Sequence, residues 1–421
     1  MKRKQIIIAH SGKQHSYRLA EALKNIGMLK KYVTTIYLKK WNMTGFAKRF
    51  LKGDALRRVI TRKCSILNDN EVKQFCEFEG LINLLLLRID KSQRLFNKWS
   101  KFKNKRFAKK VAYYAIKQNP EAVIMYDTNA TLCFDILEKK APHIKRILDV
   151  SSASHEYMKI IYKEDMVRSP QFSQALRKSV DYFWDEKVIN EFNKEIQLAH
   201  FFLAPSKFVK KSIQYHGISP ERIFICPYGV DTSKFKDNKA LKPRRKLRCV
   251  YIGALTQRKG ISYLLEAFKQ YSKEDVSLTL IGKYDNSNGL FDEYLDRYNF
   301  TGFITHEKVA EILSDSDIMV FPSLSEGLSL SVMEALGSGI PVICSENSGY
   351  EDIIIDGYNG FIIPIGDSKV INEKVNWFIN NKDKIPQMKI NARNTALQYT
   401  WEAYNERVAK IVKSILSKRG A

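Results

Sequence analysis

Short runs rich in isoleucine and valine alternate with longer helical patterns along the chain, and this alternation limits the possible folds more than any other feature. The first runs are QIIIA (5 to 9), TTIYL (34 to 38), AVIMYD (122 to 127), RILDV (146 to 150) and FFLAPS (201 to 206). After the charged stretch KFKDNKALKPRRKLR (234 to 248) come CVYIGAL, SLTLIG, FTGFIT, IMVFPS and PVICSE. Strands separated by helices form parallel sheets. The sequence predicts an α/β protein with two doubly wound parallel sheets and a ligand cleft beyond their carboxyl ends.

The composition is that of a globular protein with room for two or three domains, since the chain has 421 residues of which 44% are hydrophobic. Its longest apolar run, LINLLLL at 81 to 87, is far shorter than the roughly 20 residues of a spanning helix. The opening MKRKQIIIAH is better read as a first strand than as a signal peptide. Six cysteines without paired spacing favour a reducing cytoplasm over a disulfide framework or structural zinc.

Positive charge is concentrated in the first 120 residues, which hold 29 Lys/Arg against 7 Asp/Glu. No nucleic-acid-binding signature accompanies this charge, so we expect no nucleic acid partner. Basic and apolar residues are mixed at helical spacing in 41 to 63 and in 91 to 110. One interpretation is attachment to an anionic membrane surface, on the inner face of the cell membrane. The other is a pair of amphipathic helices with a solvated basic face.

A strand, a glycine and two basic residues precede the helical pattern in YIGALTQRKGISYLLEAF (251 to 268). Glycine lets the backbone approach a ligand, and cations beside a helix start suit a diphosphate. Arg258 and Lys259 are therefore candidate phosphate ligands, and the alternative is that they are solvated turn residues.

Two glutamates, Glu326 and Glu334, stand eight positions apart in SEGLSLSVMEALGSG. A carboxylate accepts hydrogen bonds from the vicinal hydroxyls of a sugar or ribose. Glu326 is expected in a turn that faces the cleft. For Glu334 the alternative is a capping box with Ser331, in which the glutamate satisfies backbone donors at a helix start.

These stretches, with LAPSKFVKKSIQYHGISPERIFICPYGVD, GYEDIIIDGYNGFIIPIGD and TWEAYNERVAKIV, resemble the retaining glycosyltransferases of the family-four group. The resemblance covers nearly the whole second half of the chain and the end of the first half. It implies the GT-B fold, in which two Rossmann-like domains enclose a cleft. It further implies domains at 1 to 236 for the acceptor and 237 to 398 for a nucleotide-sugar donor, with a C-terminal helix at 399 to 421 that packs back on the first domain.

The resemblance also implies roles for individual residues. Glu326 matches the family glutamate that contacts the transferred sugar, and Glu334 matches the one that contacts the ribose. The remaining implied donor ligands are Gly12, Gly253, Arg258, Lys259, Gly327, Leu328 and Ser329, and His155 matches a histidine of the cleft. The chain departs from the family at Ala254, where an arginine is usual, and in having one loop glycine instead of two.

The implied function is transfer of a hexose, with retention, from a nucleotide-diphosphate sugar to a glycan or polyprenyl-linked saccharide in cell-surface polysaccharide or glycolipid synthesis. Glu326, His155, Arg258 and Lys259 are the expected catalytic residues, with no metal or other cofactor. DSD at 315 to 317 is read as a helix terminus, not a metal motif. The alternatives are a non-catalytic GT-B protein that binds a glycan or partner, and a nucleotide-sugar epimerase.

Overall fold

Two parallel sheets organise the chain. The computed structural model describes residues 5–90, 92–235 and 245–418. The first sheet contains β1 (Ile6–His10), β2 (Leu29–Thr34), β3 (Val72–Gln74), β4 (Ala122–Tyr126), β5 (Lys145–Asp149), β6 (Phe201–Ala204) and β7 (Ile223–Ile225). The second contains β8 (Leu247–Ile252), β9 (Val276–Ile281), β10 (Asn299–Gly302), β11 (Ile318–Phe321), β12 (Val342–Ser345) and β13 (Gly360–Ile363).

The strand orders are β3-β2-β1-β4-β5-β6-β7 and β10-β9-β8-β11-β12-β13. Neighbouring strands in both sheets are parallel. In each sheet the order reverses beside the first strand, β1 or β8, and this switch point is where doubly wound sheets bind ligands. The predicted α/β class with two doubly wound sheets is confirmed.

Helices cover both sheets. They are α1 (Ser16–Asn25), α2 (Met43–Ala47), α3 (Gly53–Ile60), α4 (Glu77–Ile89), α5 (Arg94–Gln118), α6 (Thr131–Lys140), α7 (His155–Arg168), α8 (Pro170–Val180), α9 (Glu186–Leu198), α10 (Lys207–Gln214), α11 (Ile261–Phe268), α12 (Asp292–Leu295), α13 (His306–Asp315), α14 (Leu330–Gly337), α15 (Ser368–Asn380), α16 (Ile385–Leu397) and α17 (Trp401–Ser417). The C-terminal α17 lies against α1. In the described ranges, no helix combines the length and apolar character needed to cross a bilayer.

The strand prediction was wrong at one position and incomplete at three. The run TTIYL (34 to 38) overlaps β2 only at Thr34, because the chain leaves the sheet there and the Thr35 hydroxyl donates to the Ser11 carbonyl at 2.8 Å. Strands β3, β7 and β13 were not predicted. Each has only three or four residues, too few to show a period of two.

Loops at the carboxyl edges of the two sheets meet. The loop after β11 places Gly327 against Ser151, which follows β5, and against Ser206, which follows β6. The Ser206 hydroxyl donates to the Gly327 carbonyl at 2.7 Å. The predicted domain boundary at 236/237 falls within residues 236–244, outside the described residues, and stays a prediction.

Candidate functional site

The segment after β8 brings two cations to the carboxyl edge of the second sheet. Gln257–Lys259 form one 3-10 turn, and Gly260 then enters α11 with φ +70°. A Cβ atom on Gly260 would lie 1.9 Å from the Pro322 carbonyl oxygen. Glycine is therefore needed at position 260 for two reasons: the dihedral angle is left-handed, and the loop after β11 approaches closely. As a result, the carbonyl of Arg258 accepts the Leu324 N–H at 3.0 Å.

We expect Gly260→Ala to destabilise the protein by about 2 to 4 kcal/mol, since it combines a left-handed dihedral angle with a backbone clash. Gly27 is the matched control, because its φ is +67° and an added Cβ atom there would have no heavy atom within 4 Å. Gly27→Ala is expected to cost only about 1 kcal/mol. Urea denaturation of both variants checks the difference, and equal losses would contradict the packing role of Gly260.

Glu326 joins the two cations into a compact charged cluster. Its Oε1 accepts from Arg258 Nη1 at 2.9 Å and forms a second ion pair with Lys259 Nζ. The Ser323 hydroxyl lies 3.3 Å from the same oxygen. The backbone N–H of Glu326 donates to the Asn347 carbonyl at 2.8 Å, which holds the turn in place. The structure therefore brings together three of the four charged residues that the sequence singled out, all except Glu334.

Burial and pairing act in opposite directions on the pKa values of this cluster. Burial by itself would raise the pKa of Glu326, but Lys259 and Arg258 together lower it below its usual value. Burial lowers the pKa of Lys259, and Glu326 partly offsets this. Glu326 raises the pKa of Arg258 despite its burial. With two cations and one carboxylate, the cluster carries a net charge of +1, which suits an anionic ligand.

Glu334 lies on α14, and the capping-box alternative for it was wrong. The helix begins at Leu330 after Ser329, so Ser331 lies inside the helix. The Ser331 hydroxyl instead donates to the Ile252 carbonyl at 3.1 Å. Glu334 lines a cavity of about 540 Å³ between α13, α14 and the stretch 229–235, and Asp231, Glu307 and Trp401 also line it.

The turn after Glu326 is fitted against the first domain. A Cβ atom on Gly327 would lie 1.9 Å from the Ser151 carbonyl oxygen. Leu328 is buried, and Ser329 precedes α14 with its hydroxyl 2.9 Å from that of Ser331. The predicted donor-binding turn is thus also a contact between the two sheets.

The predicted glycines occupy loops at the ends of the first strand in each sheet. The Gly12 N–H donates to His10 Nδ1 at 2.7 Å, so the side chain of the strand end holds the loop. The Gly253 N–H donates to the Ile281 carbonyl at 2.9 Å. The carbonyl of Ala254, the residue at which the resemblance implied an arginine, accepts the Tyr251 hydroxyl at 2.9 Å.

His155 is the first residue of α7 and lies between two phenyl rings. Its ring is stacked on Phe183 with centroids 4.7 Å apart and lies 4.3 Å from Phe192. Burial lowers its pKa to about 4, so the ring is neutral near pH 7. Its Nδ1 has no partner among the described residues. No described contact joins His155 to Glu326, and its catalytic role stays a prediction.

Several residues of the site were not identified from the sequence. The Asp165 carboxylate on α7 accepts from Gln257 Nε2 at 2.9 Å and from the Tyr263 hydroxyl at 2.7 Å, which fixes the α7 helix to the Arg258 segment. Tyr162, one turn earlier, lies beside Arg258 and Ser325, and burial raises its pKa to about 12. Of these residues, only Gln257 could have been identified from the local sequence, because it stands beside Arg258 and Lys259.

A second cavity, of about 250 Å³, lies in the first domain near the carboxyl ends of β1 and β4. Its lining combines amide, cationic and aromatic side chains, among them Asn97, Lys101, Asn104, Asn129, Phe183 and Phe192. Thr128 also lines it and has φ +71°, which is rare for a β-branched residue and costs energy. The Ser11 hydroxyl lies 3.0 Å from Asn104 Oδ1 and 2.8 Å from Asn129 Oδ1, which connects this cavity to the Gly12 loop.

The part of the chain that contains the second sheet matches a known protein family. Residues 232–395 match the family described as glycosyl transferases group 1. A Salmonella typhimurium protein assigned as the colanic acid biosynthesis glycosyltransferase WcaL is 26% identical over 214 residues, which are 47% of this chain and 53% of the relative. The MMP alpha-(1->4)-mannosyltransferase of Mycolicibacterium hassiacum is 24% identical over 214 residues, 48% of this chain and 51% of the relative. The chain thus spans about half the length of these curated relatives.

Solved structures share the whole fold. Sucrose-phosphate synthase from Thermosynechococcus elongatus superimposes with a TM-score of 0.65 at 17% identity, over 99% of this chain and 100% of the other. The lipopolysaccharide outer core galactosyltransferase WaaB gives 0.63 at 15% identity, over 98% and 99%. An Anabaena protein, HepE, in complex with UDP-glucose gives 0.60 at 14% identity, over 98% and 100%.

Proposed function

Because residues 232–395 carry the domain of the glycosyl transferases group 1 within a GT-B fold, we propose that this protein is a retaining glycosyltransferase. It transfers a hexose from a nucleotide-diphosphate sugar to a glycan or lipid-linked saccharide in cell-surface polysaccharide or glycolipid synthesis. The observation that carries the proposal is the ion-paired cluster of Glu326, Arg258 and Lys259 at the carboxyl edge of the second sheet.

The charge of this cluster suits the departure of a nucleoside diphosphate. Negative charge grows on the leaving phosphate while positive charge grows at the anomeric carbon. Arg258 and Lys259 provide fixed positive charge for the leaving group without a metal. Glu326 keeps a carboxylate near the sugar, where it accepts hydroxyl hydrogen bonds. The acceptor then attacks from the face that the phosphate leaves, and the phosphate takes the acceptor proton.

The cavity beside Glu334 is the proposed site of the nucleoside. Its volume of about 540 Å³ is within the usual range for small-molecule pockets, about 300 to 1,000 Å³. The Glu334 carboxylate can accept both hydroxyl groups of a ribose. Glu334→Gln keeps the shape of the side chain but replaces the charged carboxylate with a neutral amide, which is a weaker hydrogen-bond acceptor. We therefore expect a roughly tenfold weaker affinity for the nucleotide sugar.

The cavity of the first domain is the proposed acceptor site. Amide side chains such as Asn104 and Asn129 offer donors and acceptors to sugar hydroxyls, and Phe183 and Phe192 offer flat apolar surfaces to a sugar ring. The Glu195 carboxylate accepts the Thr128 N–H at 2.8 Å and so holds this strained backbone, which supports a functional site here because such strained residues cluster at binding sites. A polyprenyl-linked acceptor would bring this cytoplasmic enzyme to the inner face of the cell membrane.

Calorimetric titration with UDP-, GDP- and ADP-sugars tests the donor site. We expect one donor to bind selectively, and Arg258→Ala to weaken it by at least about tenfold, or 1.4 kcal/mol, because a phosphate contact is lost. Arg297→Ala is the control, since Arg297 is exposed on the same domain and donates to the Lys269 carbonyl.

The pattern of turnover separates the proposal from its alternatives. A transferase consumes the nucleotide sugar in proportion to added acceptor, whereas an epimerase converts it with none present. Failure to bind any nucleotide sugar, with or without divalent metal and lipid, would contradict the proposed function and favour a non-catalytic GT-B protein.

A further inference from the structure

Helix α4 presents its apolar side chains outward. Its sequence is EFEGLINLLLLRI, and its only buried residues are Glu79 and Gly80. Ile89 is 64% exposed, and Leu85 is 55% exposed. A helix that is apolar nearly all round is expected either in a protein core or in contact with lipid. Here Glu79 and Gly80 face the protein, Phe78, Leu85, Leu87 and Ile89 are exposed, and the other leucines are half-buried.

Polar contacts on the inner side hold α4 in this orientation. Glu79 pairs with Arg106 at 2.8 Å, and its carbonyl accepts the Trp99 indole N–H at 2.9 Å. The Ser100 hydroxyl donates to Asn83 at 2.6 Å. A Cβ atom on Gly80 would lie 2.8 Å from Ile36 Cγ1. Rotating α4 to bury its exposed apolar side chains would break these contacts. The contacts therefore keep that side of the helix facing outward.

Neighbouring helices extend this surface. Trp41 is 81% exposed and Phe50 is 72% exposed. A cavity of about 600 Å³ joins α2 to α4 between Trp41, Phe46 and Leu81. Exposed large apolar side chains from three helices and the residues beside α2 form what we call the apolar face: Trp41, Phe46, Phe50, Phe78, Leu85, Ile89, Leu95 and Phe102.

Exposed cations lie close in sequence to the members of the apolar face, and Lys40 and Arg49 line the same cavity as Trp41 and Phe46. These cations are Lys40, Lys48, Arg49, Lys52, Arg88, Arg94 and Lys98. None of these seven makes an ion pair with a carboxylate of the described residues. A second copy of the chain would bring like charges together, whereas an anionic surface would neutralise them.

We propose that the apolar face and the cations beside it dock this protein on an anionic lipid bilayer, with the side chains of α4 inserted at the interface. The cations beside the apolar face are complementary in charge to anionic lipid headgroups, so the partner of this face is a membrane and not a protein. Insertion of apolar side chains and attraction of cations to anionic headgroups then act together. The proposal does not depend on glycosyl transfer, since binding is measured without a donor or an acceptor.

Flotation of the purified full-length protein with vesicles tests the proposal. We expect binding to phosphatidylcholine vesicles that contain about 30% phosphatidylglycerol and little binding to pure phosphatidylcholine. The variants Phe50→Ser and Leu85→Ser/Ile89→Ser are each expected to weaken partitioning by about tenfold or more. Vesicle-induced blue-shifted fluorescence that Trp41→Phe removes would place the face at the interface.

Matched controls come from exposed apolar residues elsewhere. Phe303 is 79% exposed, and Leu397 is 50% exposed, so Phe303→Ser and Leu397→Ser remove similar surface far from α4. Both are expected to bind vesicles like the unchanged protein. Equal binding to neutral vesicles, no binding at all, or equal losses in the controls would overturn the proposal. So would a dimer that the α4 variants dissociate while vesicle binding stays constant.

Discussion

Lys259→Ala is expected to lower kcat by about 10² to 10³, the loss typical of removing one preorganised group that stabilises transition-state charge. The Lys259 ammonium pairs with Glu326 and lies 5.1 Å from the Phe321 ring centroid, in a largely buried place. Without it, Arg258 and Glu326 form a neutral pair, and the cluster loses its net charge of +1. The leaving diphosphate then meets no excess positive charge.

Steady-state kinetics with the donor found by calorimetry would measure this loss. Lys269→Ala is the control, because Lys269 pairs with Glu266 and Glu293 at the surface of the same domain. Circular dichroism at the assay temperature would check that Lys259→Ala is folded. A reduction in kcat of less than about threefold in a folded variant would remove Lys259 from the proposed leaving-group site.

Gly327→Ala is expected to reduce kcat/KM by about a hundredfold with a smaller effect on stability. An added Cβ atom would lie 1.9 Å from the Ser151 carbonyl oxygen, whereas ordinary contacts begin at 3.4 Å. The turn and the first domain must therefore separate by roughly 1.5 Å, and a misplacement of about 1 Å can cost a hundredfold in rate. Because the strain is relieved by separating the sheets, each sheet keeps its own packing.

Gly337→Ala is the matched control, because its nearest neighbour would be the Phe235 ring at an ordinary 3.5 Å. Small-angle scattering should show a larger radius of gyration for Gly327→Ala than for the control. If Gly327→Ala has unchanged kinetics, the contact between Gly327 and Ser151 is not part of the active arrangement.

Much of the fold could be predicted because its signals are local. Buried strands such as β1 and β11 are continuous apolar runs bounded by turn residues, and such runs are characteristic of parallel sheets covered on both faces. The three-residue β3 has no such signal, since its pairing with β2 depends on the sheet already formed. The capping-box alternative for Glu334 was wrong for a related reason. The Ser331 hydroxyl binds the carbonyl of Ile252, 79 residues away, and not its own helix end.

In the candidate site, too, some features could be predicted from local sequence and others depend on contacts between distant segments. Arg258 and Lys259 belong to one short turn, and Glu326 follows one strand end, so local sequence was enough to select them. Their meeting at one carboxylate depends on Gly260, which lets the turn approach Pro322. The place of His155 between two phenyl rings could not be predicted, because those rings belong to segments about 30 to 40 residues further along the chain.

The sequence by itself determined the two parallel sheets, the charged residues Arg258, Lys259 and Glu326, and the basic character of the first domain. These properties follow from residue type and short-range spacing, which tertiary contacts do not alter. Only the tertiary structure decided how closely Gly327 approaches Ser151 and which side of α4 faces outward. Both depend on contacts between distant segments. On α4, Phe78, Leu85, Leu87 and Ile89 are exposed, while Glu79 on the inner side pairs with Arg106, and the local sequence does not show this division.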